Sequence, residues 1–409
     1  MKFHKKSTKP SFYRIPLSLL PAQGAYCVTL TVGEPAQSLQ FIVDTGSSAL
    51  ALRASRYRQT QDPHLAITPW VQWVRYGAGG WWGSVVQTQL GLAQTPWQSQ
   101  ANIAIVEDEA DLAWHAADGI WGLASKSLDV AHDVSEWLQS QNLQATWPSP
   151  SGLHHESLAA IRQQFQHFPE VTLTPWLQPF AHQQWPSFAL MLQSSLVEDV
   201  VQPEQARDNH GALIVGDNPR CETLYHAPLR LLRQVSSRYY SVRIGGFRVA
   251  TQPRRDWSQF VSEQQTEAMV DSGCSAWLLP SPCYQQLLED IAATSPLGSQ
   301  WLEQMTRQQP VPIAELALEQ WPDIEGYFQA DGELASGGTA EDMISLRLTP
   351  AHYWQLHYPQ YGVATCLLAK APSSWQGPTV LGLPWMHQRF WWFGHNDQGQ
   401  SVLGVAEAR

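Results

Sequence analysis

A short pattern written twice constrains this 409-residue chain more than anything else in it. Phe41-Ile42-Val43-Asp44-Thr45-Gly46-Ser47-Ser48-Ala49 returns in the second half as Ala268-Met269-Val270-Asp271-Ser272-Gly273-Cys274-Ser275-Ala276. Each copy is an apolar run, then Asp, a small hydroxyl residue, Gly and further small residues. An apolar strand that ends on Asp-[Thr/Ser]-Gly sets a carboxylate at the strand tip, and the Gly allows a tight turn and close backbone approach. A buried strand end whose Asp only hydrogen-bonds its own turn would explain one copy. It does not explain the repeat, which points to two lobes, each presenting one carboxylate tip to the other.

The length suits this, since a chain of this size fits two lobes of roughly 200 residues better than one core. Hydrophobic residues at 44% and charged residues at 15% belong to a folded chain rather than a disordered one. A formal charge of -11 argues against nucleic acid or an anionic membrane as the main partner. Lys2, Lys5, Lys6 and Lys9 read as a solvated tail. No run reaches the roughly 18 apolar residues of a membrane span, and Ile15 to Leu20 is short and broken by Pro16, so no signal-peptide core is expected.

The cysteines, Cys27, Cys221, Cys274, Cys283 and Cys366, are odd in number, with no CxxC and no close pair. Neither a zinc knuckle nor a thioredoxin-type site is supported, and the pattern leans towards a reducing compartment. With no Asn-x-Ser/Thr sequon either, a soluble cytoplasmic protein is expected, export being the alternative if a precursor segment is missing.

The two Asp loops resemble the active-site loops of the pepsin-like aspartic proteases, and other stretches carry the resemblance further. Tyr26 to Val32, a turn at Gly33 to Ala36, and Ser38 to Val43 are similar to that family's entry hairpin. Trp70 to Val86, two strands around Gly77-Ala78-Gly79-Gly80, resembles its flap, with Tyr76 as flap tyrosine and Gly77 and Gly79 at the tip. No Gly-Lys-Ser/Thr follows those glycines, so a phosphate-binding loop is not supported. Asp118 to Ala124 and Val380 to Pro384 resemble the paired apolar-apolar-Gly strands that brace the loops, with Leu383 where relatives often carry Asp. Strands at 185–192, 211–217 and 239–244, a helix from Ser281 to Ala292, and terminal strands at 390–394 and 401–406 complete the match. Gly326 to Asp342 reads as a polar, Gly-rich stretch with a loop at Ala335 to Gly338. The 43 residues before Asp44 leave no room for the family's inhibitory prosegment unless the sequence is already processed.

The resemblance implies an all-β, bilobal pepsin-like fold with pseudo-twofold related lobes, a flap hairpin and a few short helices. Residues 1–190 would form the N-terminal lobe and 191–409 the C-terminal lobe. A poorly matched insertion occupies about 126–186, with helical spacing from Asp129 to Leu143 and from Glu156 to Phe168. Its His154-His155 pair lacks a third ligand at suitable spacing, so no metal is expected, nor any cofactor.

As to function, the resemblance implies an aspartic endopeptidase, acting at acidic pH through a water activated by Asp44 and Asp271 and sensitive to pepstatin-like inhibitors. Thr45, Gly46, Ser47, Ser272, Gly273, Cys274 and Ser275 would support the dyad, with Ser47 donating to Asp44. Cys274 stands where many relatives have a hydroxyl, and a thiol is a weaker donor; a nucleophilic Cys is the rival reading, with no His placed beside it by motif. Ile42, Tyr76 and Ile120 would line the substrate pocket, and the partner would be an extended polypeptide with bulky apolar residues about the scissile bond. Ala51 falls where relatives often hold a Trp that bonds the flap tyrosine, and Ala78 replaces a common Thr or Ser. A monomer is expected, most like the bacterial pepsin homologues of the shewasin type. A catalytically silent binding or inhibitor protein on the same fold is the alternative, and a carbohydrate-binding role for the 20 Trp has less support, since they are spread along the chain.

Overall fold

A computed structural model describes residues 12–20, 25–76, 79–108, 114, 116–150, 156–174, 187–193, 210–216, 219–331, 343–373, 375 and 377–409. Strands dominate. The first repeat runs through β1 (Phe12–Leu20), β2 (Ala25–Val32), β3 (Gln37–Asp44), β4 (Leu50–Arg53), β5 (Ala66–Arg75), β6 (Gly80–Leu92), β7 (Gln98–Val106), β8 (Gly119–Gly122), β9 (Val130–Asp133) and β10 (Glu170–Thr172). A middle group follows: β11 (Phe188–Leu192), β12 (His210–Gly216) and β13 (Tyr225–Arg233). The second repeat contains β14 (Ser241–Val249), β15 (Arg255–Asp256), β16 (Glu267–Val270), β17 (Trp277–Leu279), β18 (Val311–Pro312), β19 (Ile324–Gln329) and β20 (Met343–Leu348). It continues through β21 (Trp354–Leu356), β22 (Val363–Cys366), β23 (Leu368–Lys370) and β24 (Thr379–Leu381), and the chain closes on β25 (Arg389–His395) and β26 (Ser401–Ala408).

The repeat seen in sequence is a repeat in topology. In the first half, neighbouring strands run β7-β4-β8-β3-β2; in the second, β23-β17-β24-β16-β14. In each, the Asp-bearing strand lies parallel to the bracing strand, β3 beside β8 and β16 beside β24. The Asp-bearing end of β3 is buried on both faces: Phe41 and Val43 enter the main core, while Ile42 enters a smaller cluster beneath the flap. The fold is all-β and bilobal, with few and short helices among the described residues.

One sheet joins the halves along the order β2-β1-β12-β11-β25-β26-β13. The sequence-based division at 190 therefore falls within β11, which pairs with β12 on one side and β25 on the other. Aromatic packing seals the joint: Phe188 stacks on Phe393 at 4.7 Å, and Tyr240 meets both edge-on.

Two local expectations change, and one segment gains an assignment. The helical spacing read from Asp129 to Leu143 resolves into strand β9 followed by a short helix α1 (Ser135–Ser140). Residues 130–133 extend because β9 has partners on both sides, β5 through Val71↔His132 and β10 through Val171↔Ala131. The second helical stretch does form α2 (Leu158–Phe165), whose N-cap Ser157 accepts from the Ala160 amide at 3.3 Å.

At the N-terminus, Ile15 to Leu20 belongs to a strand: Ile15, Leu17 and Leu19 alternate inward. Pro16 is tolerated because β1 pairs there with β12 alone, its pairing with β2 starting only at Ser18. Finally, Gly326 lies inside strand β19 rather than in a polar loop, since Ile324, Gly326 and Phe328 all face inward. The loop expected at Ala335 to Gly338 lies outside the described residues, as do Lys2 to Lys9 and His154-His155.

Candidate active site

Each Asp loop is held from below by its bracing strand. The Leu123 amide donates to the Asp44 carbonyl at 2.7 Å, and the Leu383 amide donates to the Cys274 carbonyl at 2.9 Å. The glycine of each brace is required by contact: a Cβ on Gly122 would lie 2.5 Å from the Ser48 nitrogen, and one on Gly382 2.4 Å from the Cys274 carbonyl oxygen. Leu383, which departs from the resembled pattern, is 1% exposed and packs in the main core.

The loops are then tied to each other across the lobes. Thr45 Oγ1 donates to the Val270 carbonyl at 2.8 Å and accepts from the Ser272 amide at 3.0 Å. In mirror fashion Ser272 Oγ donates to the Val43 carbonyl at 2.6 Å and accepts from the Thr45 amide at 3.1 Å. All of these groups are buried, so the four bonds fix one strand tip against the other with no competing water.

This lattice brings the carboxylates together. A Cβ on Gly46 would stand 2.5 Å from Asp271 Cγ, and one on Gly273 2.7 Å from Asp44 Oδ1, so each glycine yields its space to the opposite carboxylate. Each carboxylate accepts from its own loop, Asp44 Oδ1 from the Gly46 amide at 2.7 Å and Asp271 Oδ1 from the Gly273 amide at 2.8 Å. Ser47 Oγ also donates to Asp44 Oδ2. Burial raises both carboxylates above the ordinary Asp range, and for Asp271 the facing Asp44 charge adds to it, while Ser47 and the loop amides oppose the rise on Asp44. The two oxygens clusters cannot both ionise cheaply, so the pair retains a proton well above the usual carboxylate range.

The second loop is not a copy in its side chains. Cys274 Sγ donates to the Ala276 carbonyl at 3.2 Å, and only its backbone amide reaches Asp271. Burial, then the Asp271 charge, pushes the thiol pKa up, which opposes the thiolate that a nucleophilic Cys needs. No hydrogen bond joins the Ser275 side chain to either carboxylate among the described residues.

Above the loops lies the β5–β6 hairpin. Its Tyr76 amide donates to the Gly79 carbonyl at 3.0 Å, and Gly79 has φ of +85°, a conformation suited to Gly; Gly77 and Ala78 lie outside the described residues. Strand alternation gives the hairpin two faces. Val74, Tyr76 and Trp81 point inward to a cluster with Ile42 and Ile120, which pair across β3 and β8 and are each 5% exposed. Burial followed by the Asp44 charge raises the pKa of the Tyr76 hydroxyl.

Trp81 Nε1 donates to the Tyr76 hydroxyl at 3.0 Å, so the indole expected at position 51 comes instead from the flap's own second strand. Ala49, Ala51, Ala104 and Ala117 share this cluster and leave room for Trp81 and Trp114, whose rings meet edge-on at 6.1 Å. That run of small residues opposite two indoles was the available sequence signal, and it is visible only once the strands are paired.

The outer flap face is covered by the insertion. Val71 and Trp82 are buried with Val134, Leu138, Ile161 and Phe165, and Trp82 Nε1 donates to the Glu156 carbonyl at 3.1 Å. At Gly80 a Cβ would fall 2.7 Å from Leu158 Cδ2, so α2 rests directly on the hairpin. Among the described residues no group of three or more His, Cys, Asp or Glu is arranged to hold a metal, and no helix is long and apolar enough to cross a membrane. The five cysteines stand apart as thiols.

A search of curated proteins finds no match. A comparison with protein families matches residues 25–146 to the model described as eukaryotic aspartyl protease. The matched span contains the entry hairpin, the Asp44 loop, the flap and the Gly119–Gly122 brace, so it is the first of the two structural repeats that is similar to that family.

Proposed function

We propose that the chain is an aspartic endopeptidase, with Asp44 and Asp271 as its catalytic pair. The observation that carries this reading is the reciprocal approach of Gly46 to Asp271 and Gly273 to Asp44, which leaves two carboxylates, Asp44 buried and Asp271 half-buried, facing each other. One proton shared between them makes one carboxyl a base and the other an acid. The base takes a proton from a water as its oxygen attacks the peptide carbonyl, and the acid protonates the developing oxygen. Collapse of the tetrahedral intermediate then breaks the C–N bond with a proton delivered to the leaving nitrogen. Acid and base are properties of the pair, and activity falls as pH rises and the shared proton is lost.

Substrate lies extended under the hairpin, with Tyr76 over the reacting carbonyl and Ile42 and Ile120 in the apolar wall that favours bulky hydrophobic residues. Both carboxylates come from one chain, so a monomer suffices. The unpaired thiols fit a reducing compartment such as the cytoplasm. The test is cleavage, from pH 3 to 7, of a peptide with two large apolar residues about the scissile bond, by the wild type and by Asp44→Asn, with and without pepstatin. Acid cleavage, blocked by pepstatin and lost in the variant, is expected. A folded wild type that cleaves nothing would overturn the proposal in favour of a binding protein on this fold.

A further inference from the structure

Outside the dyad, one buried carboxyl group is placed where an acid is satisfied and a carboxylate is not. Asp129 lies immediately before β9, 4% exposed. Gln72 Nε2, from the flap strand β5, donates to Asp129 Oδ1 at 2.7 Å and also approaches the Val130 carbonyl at 3.4 Å. The Gln72 side chain is itself 1% exposed, and its Oε1 is buried without a hydrogen-bond partner. The Leu173 amide donates to the Asp129 carbonyl at 2.7 Å, so this residue sits where β5, β9 and the segment after β10 meet.

An ionised Asp129 is acceptor only and leaves Gln72 Oε1 with no donor; a neutral Asp129 carries one O–H that can answer it, closing a two-bond acid–amide ring. Ionisable side chains on the surrounding elements are Arg75, Lys126, His132, Asp133, Glu170 and Arg238, and only burial and Gln72 act on the Asp129 proton. Burial raises its pKa to about 7, opposed only by the Gln72 hydrogen bond.

We propose that Asp129 is a positioning residue that secures the flap strand to the insertion through Gln72 while it is neutral, and that losing its proton loosens that footing. The flap role rests on the protease reading; the junction itself does not. The sign follows from the raised value: the contribution is complete at pH below the ordinary Asp range, declines as pH rises towards 7, and is absent above it.

The test is amide hydrogen exchange on the intact chain from pH 4.5 to 8, corrected for intrinsic exchange, reading β5, β6 and β9 against β19 and β20 in the other lobe. In the wild type, protection of β5 and β9 is expected to fall about tenfold between pH 4.5 and 7, the effect of one buried hydrogen bond, and to level off above that, while β19 and β20 hold. Asp129→Asn, neutral at every pH and able to make the same two bonds, is expected to lose the step. A wild type with no step, or a variant that keeps it, overturns the proposal, and the first outcome needs no variant to fold. Exchange requires no turnover, so a chain that shows the step but cleaves nothing refutes the protease reading alone. If it does cleave, KM of Asp129→Asn is expected to stay low as pH rises from 4.5 to 7, where the wild-type KM rises, with the kcat profile unchanged.

Discussion

Replacing Thr45 with Val tests whether the cross-lobe lattice is what brings the carboxylates together. Val matches Thr in shape, so the core loses no volume, but the hydroxyl disappears. Its loss leaves the Val270 carbonyl and the Ser272 amide, both buried, without the partners they now have at 2.8 and 3.0 Å. Each orphaned group costs about 1–3 kcal/mol, so the pair costs about 2–6 kcal/mol. Exchanging a buried hydroxyl for a methyl returns at most about 1 kcal/mol. The deficit wins, and a net loss of about 1–5 kcal/mol is a large share of the roughly 5–15 kcal/mol that holds a protein folded.

Urea unfolding followed by Trp fluorescence, at one fixed pH, measures it. Ser272→Ala removes the complementary pair of bonds, to the Val43 carbonyl and from the Thr45 amide. Because the two side chains serve one lattice, the double variant should fall short of the summed losses by on the order of 1 kcal/mol. A Thr45→Val loss under about 1 kcal/mol, or strict additivity in the double variant, would refute the lattice as the organising element.

Two further outcomes follow from particular side chains. Cys274→Thr should place a hydroxyl near Asp271 as Ser47 stands to Asp44; by stabilising the carboxylate it lowers a pKa that burial and Asp44 raise, so the upper limb of the pH–rate profile moves to lower pH, and an unmoved limb would contradict this. Trp81→Phe keeps an aromatic ring but removes the donor to Tyr76, and peptide KM should rise about fivefold, the worth of about 1 kcal/mol; KM equal to wild type would show that Tyr76 needs no anchor.

The strand pair leading to Asp44, both Asp loops, both braces and the flap strands were legible in the sequence because their information is local. An alternating run with Gly at the turn, or Asp-[Thr/Ser]-Gly at a strand end, has few other solutions. What stayed hidden depended on neighbours distant in sequence. Residues 130–133 have a helical pattern but extend because β5 and β10 lie on either side, and Ile15 to Leu19 alternates plainly but was obscured by Pro16, harmless once β1 has one neighbour there. The anchoring of Tyr76 by Trp81 was illegible for the same reason: Ala51 announced that an indole was missing, while the indole that replaces it lies on another strand. The seating of the insertion on the flap is likewise a product of packing, through Trp82, Leu158 and Phe165.

The shared sheet has a kinetic consequence. Strand β11 is buried along its whole length, yet its partner β25 begins at Arg389, beyond the whole second repeat. During synthesis the first repeat can close on itself while β11 waits as an apolar edge, and Phe188↔Phe393 cannot form until the whole second repeat up to β25 has been added. Pairings of such sequence separation are slow to nucleate, so the closing of β25 and β26 onto β11 should limit the rate of folding. The growing chain is then most exposed to association through that edge until β25 emerges.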